Sequence, residues 1–118
     1  MMSEGHREAL QPGSIVILYL ANPAEKYWGV LASLTQTGVT LRALNLSSFE
    51  DWLRSVINEL EPSLGLATIF FPLARVERLF LDEQVGEVES LSQSFERRVG
   101  QSVEEVLGLR PAKEEPTN

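Results

Sequence analysis

The chain has 118 residues, of which 43% are hydrophobic and 23% charged, and its net charge is −7. This length allows one domain with a single core, and the composition is that of a globular protein, which excludes disordered and fibrous classes. The chain contains no cysteine, so disulfides, thiol nucleophiles and cysteine metal sites are also excluded.

The acidic residues are concentrated towards the C-terminus. Residues 1–81 hold eight acidic and six basic residues, a net charge of −2, whereas residues 82–118 hold nine and four, a net charge of −5. Nucleic-acid binding depends on basic side chains that neutralise phosphates, and the sequence offers no basic stripe. We therefore expect no nucleic-acid partner.

The sequence contains neither a membrane-spanning run nor a signal-peptide pattern. Its longest apolar run, residues 15–21, has seven residues, whereas a membrane helix needs about 20. Residues 1–8 mix both charges and lack a small-residue cleavage site. We expect a cytoplasmic protein without membrane contact.

Three strands are predicted in the first half of the chain, at residues 14–20, 26–34 and 39–46. Pro12 and Gly13 form a turn signal, so we expect a flexible tail over residues 1–12 and a single domain over residues 13–109. The first strand is apolar on both faces and must be covered on both. Gly29 inside the second strand predicts a bulge or a sharp bend.

An amphipathic helix is predicted at residues 49–60. Six apolar residues recur there at helical spacing: Phe49, Trp52, Leu53, Val56, Ile57 and Leu60. Ser47 or Ser48 is expected to cap the start of the helix, and Pro62 to end it. Packing on the domain's own core is the favoured interpretation of this stripe, and a partner-binding face is the alternative.

The last two strands are predicted at residues 66–71 and 76–81, on either side of the four residues 72–75. Pro72 has no N–H to give to a ladder, so pairing stops there, and four residues leave room for one tight turn.

Two further helices are predicted beyond Gly86. Their apolar residues are Val88, Leu91, Phe95 and Val99, followed by Val103. The first helix should end at Gly100, and Ser102 should cap a short second one that runs to residue 107. The polar residues 110–118 predict a disordered tail.

Residues 13–83 resemble the SH3-like and Sm-like small β-barrels. The resemblance rests on residues 27–31 and 38–41, which are similar to the bent Sm hairpin, and on residues 69–76, which are similar to its final strand pair. It implies an α+β, mainly β fold: a five-stranded bent antiparallel barrel with a helix inserted between strands three and four and C-terminal helices. The arrangement also resembles uncharacterised bacterial proteins of similar length, which imply no activity.

The chain departs from Sm-like proteins where those proteins bind RNA. Their contacts come from an Asp and an Asn around the turn before strand three and from a polar or basic turn before strand five. Here these turns are residues 35–38, which carry no charge, and residues 72–75, where Arg75 is the only cation. Sm-like proteins also carry their helix before strand one.

The sequence shows no catalytic motif. His6 is the only histidine and lies in the predicted tail, where a general base would lack positioning. Asp82, Glu83, Glu87 and Glu89 could collect a hard cation, but their spacing fits no Ca²⁺ loop, and a solvated helix entry is the favoured interpretation. We expect no catalytic, cofactor or metal site.

The best ligand or partner candidates are aromatic and charged residues near the start of strand two. They are Asn22, Lys26, Tyr27 and Trp28, with Arg42 and Arg75 as the nearest cations that the fold could add. An exposed Trp28 could stack a ligand, and core packing is the favoured alternative.

The sequence-based hypothesis is a non-enzymatic interaction or assembly module on a small β-barrel. The apolar surface of the first strand and two helices exceeds what a small barrel buries, so we expect a homo-oligomer, most simply a dimer, or an unidentified protein partner. The alternatives are an Sm-like RNA-binding protein and a small enzyme without a recognisable motif.

Overall fold

The computed structural model describes residues 10–58 and 65–109 and contains five strands and three α-helices. The strands are β1 (Ile15–Leu20), β2 (Glu25–Leu34), β3 (Gly38–Asn45), β4 (Ala67–Pro72) and β5 (Val76–Leu81). The helices are α1 (Phe49–Asn58), α2 (Leu91–Val99) and α3 (Val103–Val106). The chain is divided into two compact units, residues 1–81 and residues 82–118. The predicted C-terminal tail, His6 and most of the predicted N-terminal tail lie outside the described residues.

The five strands form one antiparallel sheet in the order β4-β3-β2-β1-β5. The predicted α+β class, the five strands and the helix between β3 and β4 are therefore confirmed. Within the described residues no ladder joins β4 to β5, so backbone pairing does not close the sheet into a barrel.

One face of the sheet forms the hydrophobic core of the N-terminal unit. Its buried members alternate along the strands, as the predicted two-residue period requires. They are Val16, Leu18, Leu20, Leu31, Val39, Leu41, Ala43 and Phe71. On β3 the predicted alternation is confirmed, because Arg42 is exposed while its neighbours Leu41 and Ala43 are buried.

Gly29 lets β2 approach β3 at van der Waals contact. A Cβ atom on this residue would lie 2.0 Å from the Arg42 carbonyl oxygen and 2.6 Å from the Ala43 Cα. The pairing register runs through Gly29 without a break and shifts between Leu31 and Ser33 instead. The bulge thus lies beyond Gly29, and Gly29 itself allows the close approach of the β2 and β3 backbones.

Helix α1 packs its aromatic side chains against β2. The ring centroid of Trp28 lies 5.0 Å from that of Phe49 and 5.4 Å from that of Trp52, and all three residues are buried. Leu53 is buried as well, whereas Ile57 at the far end of the stripe is 47% exposed. The core interpretation of the helix is confirmed over its first two turns, and Leu60 lies outside the described residues.

Helix α1 begins at Phe49 as predicted, directly after a separate helical turn. This 3-10 turn, Leu46–Ser48, is capped by Asn45, a residue that the sequence analysis did not name as a cap. The Asn45 Oδ1 atom accepts hydrogen bonds from the Ser47 N–H at 2.9 Å and from the Ser47 hydroxyl at 2.7 Å. A short polar side chain at the end of a strand thus begins the helical segment.

A second 3-10 turn, Leu73–Arg75, joins β4 to β5 as the proline signal predicts. The Leu73 N–H donates to the Thr37 carbonyl, and the Arg75 carbonyl accepts from the Ala21 N–H, both at 2.9 Å. Three residues thus connect the two outermost strands of the sheet. A chain advances at most about 3.5 Å per residue, so the sheet must curl strongly to bring β4 and β5 together at this point.

The C-terminal unit begins with a turn rather than with the predicted longer helix. Val85 and Val88 form an antiparallel bridge, and Val88 is 71% exposed, so its place in the predicted helical stripe was wrong. Helix α2 starts after Ser90, whose hydroxyl accepts from the Gln93 N–H in a complete capping box. It ends as predicted at Gly100, which adopts φ 89°, a left-handed conformation that favours glycine.

The predicted short helix after Ser102 is also confirmed as α3, with the Ser102 hydroxyl accepting from the Glu105 N–H at 3.1 Å. None of the described helices has both the length and the apolar character needed to span a membrane.

Candidate functional site

An open groove of about 500 Å³ lies at one end of the sheet, where β1 and β3 end and β2 and β5 begin. We call it the rim groove. Residues from all four strands line it, including Tyr19, Leu20, Glu25, Lys26, Asn45 and Glu77. Its size is in the range of small-ligand sites, about 300 to 1,000 Å³.

Tyr19 is the aromatic centre of the rim groove. Its cross-strand partners are Lys26 on β2 and Arg78 on β5. The Lys26 Nζ atom lies 4.9 Å from the Tyr19 ring centroid, and the Arg78 guanidinium carbon lies 5.2 Å from it. Both distances fall within the range of a cation–π contact, so the half-buried ring holds two cations beside the groove.

Glu77 reaches the groove because the register of β1 and β5 shifts there. Tyr19 pairs with Arg78 and Leu20 pairs with Val76, which leaves Glu77 as the extra residue of a bulge. A bulge redirects side chains that a regular strand would place on the other face. The exposed residue Glu77 therefore lines the same groove as Tyr19.

Arg75 holds the loop between β1 and β2 in place. Its Nε donates to the Ala21 carbonyl at 3.1 Å, and its Nη2 donates to the Pro23 carbonyl at 2.7 Å and to Glu25 Oε1 at 3.1 Å. A guanidinium group has five donors in a planar arrangement, which suits several acceptors at once. Arg75 thereby shapes the border of the groove from the 3-10 turn after β4.

The structure separates the six residues that the sequence favoured. Only Lys26 lines the groove, and Asn22 lies in the exposed loop held by Arg75. Tyr27 packs its ring 4.9 Å from that of Phe71 in the core. Trp28 is fully buried, which agrees with the favoured packing interpretation. Arg42 is exposed on β3, outside the groove.

Sequence reasoning missed Tyr19, Asn45 and Glu77. Tyr19 belongs to a strand that reads as core, and Glu77 reaches the groove only through a bulge that the sequence does not announce. Asn45, just after an apolar run and two residues before Ser47, carried a signal for a cap that the sequence analysis assigned to the serines.

The acidic residues after β5 serve a helix end and an ion pair. The Asp82 carboxylate accepts from the Leu91 N–H at 2.9 Å and from the Ser92 N–H at 2.8 Å, at the positive end of α2. Glu89 pairs with Arg97, whose hydrogen bond lowers the pKa of the Glu89 carboxyl. No group of three potential metal-binding side chains occurs in the described parts of the chain.

A second candidate surface lies at the other end of β2, and we call it the uncharged end. Phe70 on β4 is 53% exposed, Leu34 at the end of β2 is 50% exposed, and Leu73 is 46% exposed. The β4 strand pairs with β3 from Ala67 to Pro72. Residues 27–41 and 62–74 carry no charged side chain, although the whole chain is 23% charged.

Comparison of this chain with protein-family models, with curated proteins and with solved structures finds no significant match.

Proposed function

We propose that the protein is a non-enzymatic assembly module that forms a homodimer by pairing the β4 strands of two copies. The observation that carries the proposal is the character of the β4 edge. One side of β4 pairs with β3, and the other has no strand partner among the described residues. Its six residues, from Ala67 to Pro72, include no charge.

Edge strands of this kind tend to pair with another strand. Proteins that remain monomeric protect such edges with lysine, with inward-pointing charges or with proline. On β4 only the terminal Pro72 offers such protection, whereas the opposite edge strand β5 carries Glu77 and Arg78. Exposed Phe70 adds apolar area that a partner strand would bury.

The charge distribution favours a second copy as the partner. Two copies with a net charge of −7 each repel one another, and the repulsion is smallest where both present uncharged surface. A two-fold dimer brings the same patch of each copy together, so a neutral apolar patch is self-complementary. The uncharged end meets both conditions.

We further propose that the sheet belongs to the SH3-like or Sm-like class of small barrels. The strand order with β5 beside β1, the bulge in β2 and the 3-10 turn between β4 and β5 support this. The two outer strands approach at that turn, which leaves the rest of the β4 edge available for pairing.

The RNA-binding alternative is favoured by one observation, the two cations beside the Tyr19 ring. Aromatic rings flanked by cations suit a nucleotide. The carboxylates of Glu25 and Glu77 line the same groove and would repel a phosphate backbone, so we favour assembly.

Light scattering after gel filtration tests the dimer. The wild-type chain at tens of micromolar should have twice the monomer mass. The Phe70→Lys variant should be monomeric, because the new cation at the β4 edge repels the same cation on the other copy. Val88→Lys is the matched control, since it places the same charge at another exposed apolar residue and should leave the dimer intact. A monomeric wild-type chain would overturn the proposal, as would a dimer unaffected by Phe70→Lys.

A further inference from the structure

We propose that the rim groove binds a short extended peptide segment that carries both a carboxylate and an ammonium or guanidinium group. The proposal is independent of the β4 dimer. Lys26 in the groove and Leu34 at the uncharged end lie at opposite ends of the ten-residue strand β2.

Lys26 supplies the cationic side of this site. It forms no ion pair within the described residues, and its Nζ is held beside the Tyr19 ring at 4.9 Å. The ring contact restricts the long side chain without using its three N–H donors for an acceptor oxygen. A ligand carboxylate can therefore bind Nζ at a smaller entropic cost than at a freely rotating lysine.

Glu77 supplies the anionic side. The bulge in β5 directs it into the groove, and it forms no ion pair in the parts of the chain that the structure describes. Glu25, by contrast, is already paired with Arg75 at 3.1 Å. A cationic ligand group would thus find Glu77 as the carboxylate without a cationic partner.

The separation of the two strands that carry these charges sets the length of the ligand. Lys26 belongs to β2 and Glu77 to β5, with Tyr19 of β1 between them. Neighbouring strands lie about 4.8 Å apart, so the two backbones are about 10 Å apart. An extended peptide advances about 3.3 Å per residue, so a segment that reaches from the β2 backbone to the β5 backbone spans three or four residues, and we place its two charges at the ends of that span.

The rest of the groove suits a peptide backbone and one apolar side chain. Leu20 is buried beneath it, and Leu46 lines it from the 3-10 turn. Asn45 uses Oδ1 for the cap, so its Nδ2 donors take no part in capping and can bind a peptide carbonyl. The groove combines both charges, an apolar floor and an amide donor within about 500 Å³.

Amide chemical shifts of the full-length ¹⁵N-labelled chain test the site. The probes are the end-capped peptide Ac-Lys-Ala-Leu-Ala-Glu-NH₂, the same peptide with its charges exchanged, and a neutral control with glutamine at both ends. At about 0.1 M salt, at least one charged order should shift the Tyr19, Lys26 and Glu77 amides saturably, and at least tenfold more tightly than the neutral peptide.

Two variants and a matched control assign the contacts. Lys26→Gln and Glu77→Gln should each weaken peptide binding at least fivefold. Amide shifts outside the groove should stay those of the folded wild-type chain. Arg42→Gln removes an exposed cation outside the groove and should not change binding.

Three results would overturn the proposal: no shifts at millimolar peptide, equal binding of the neutral control, or saturable binding of a single-stranded oligonucleotide at these same amides. Because titration shifts report on the groove whether the chain is monomeric or dimeric, failure here leaves the β4 assembly proposal standing, and failure of the dimer leaves this one standing.

Discussion

Trp52 is the residue whose replacement best tests the packing of α1 on the sheet. It is 4% exposed, and its ring lies 5.4 Å from that of Trp28 and 5.9 Å from that of Phe49. Aromatic pairs at these separations attract one another beyond their buried area. Trp52→Ala should therefore remove a large buried side chain and leave a cavity between the helix and β2.

The expected cost is large relative to the stability of a small protein. Removal of a buried tryptophan costs about 3 to 5 kcal/mol. Domains hold about 5 to 15 kcal/mol in total, and each kcal/mol lowers the Tm of a chain of this size by about 4 °C. We expect Tm to fall by about 10 to 20 °C, or soluble protein to be lost.

Thermal unfolding followed by circular dichroism measures the effect, with Ile57→Ala as the matched control. Ile57 lies on the same helix but is 47% exposed, so its loss should cost about 1 kcal/mol or less. If Trp52→Ala has the same Tm as the wild-type chain and the oligomeric state is unchanged, Trp52 does not pack in the core as inferred. The helix would then be a docking face for a partner, since a substitution in an exposed face is nearly neutral.

Three further predictions concern the backbone approach of β2, the start of α2 and the ion pair between Glu89 and Arg97. Gly29→Ala should cost about 3 kcal/mol or more in urea unfolding, because its Cβ would lie 2.0 Å from the Arg42 carbonyl oxygen, and an unchanged urea midpoint would contradict this. Asp82→Ala should lower the free energy of unfolding by about 1 to 2 kcal/mol, because the first N–H groups of α2 lose their acceptor. A change of less than about 0.3 kcal/mol in the same urea assay would refute this prediction. The pKa of Glu89 lies below its ordinary value because Arg97 donates a hydrogen bond to it, so the stabilisation by this pair is present at neutral pH and is lost as the pH falls through the lowered pKa. In an NMR titration the midpoint for Glu89 should rise in Arg97→Gln, and an unchanged midpoint would exclude the pairing.

Local patterns along the chain were sufficient to predict most of the secondary structure. The alternation of β3, the helical stripe from Phe49 to Leu53 and the stop at Gly100 each follow from interactions within a few residues. The same holds for the turn after β4, where Pro72 ends pairing by lacking an N–H.

The candidate site could be predicted only in part. Lys26 was identified because it lies beside a loop and two aromatic residues, and it does line the groove. Trp28 shares that neighbourhood, but helix α1 covers it, and nothing within a few residues of Trp28 specifies that cover. Arg75 reaches carbonyl groups more than 50 residues away in sequence, at Ala21 and Pro23.

By itself, then, the sequence determined the periodic elements, their turns and the distribution of charge, because these depend on neighbours in the chain. The tertiary structure alone decided that a shift in the β1–β5 register brings Glu77 to the groove that Tyr19 lines, and that Lys26 lies beside the Tyr19 ring. Register and strand order depend on contacts between distant segments, which local propensity does not encode. The exposed, uncharged edge of β4 is likewise a property of strand order, since an identical strand in the middle of the sheet would have both sides paired.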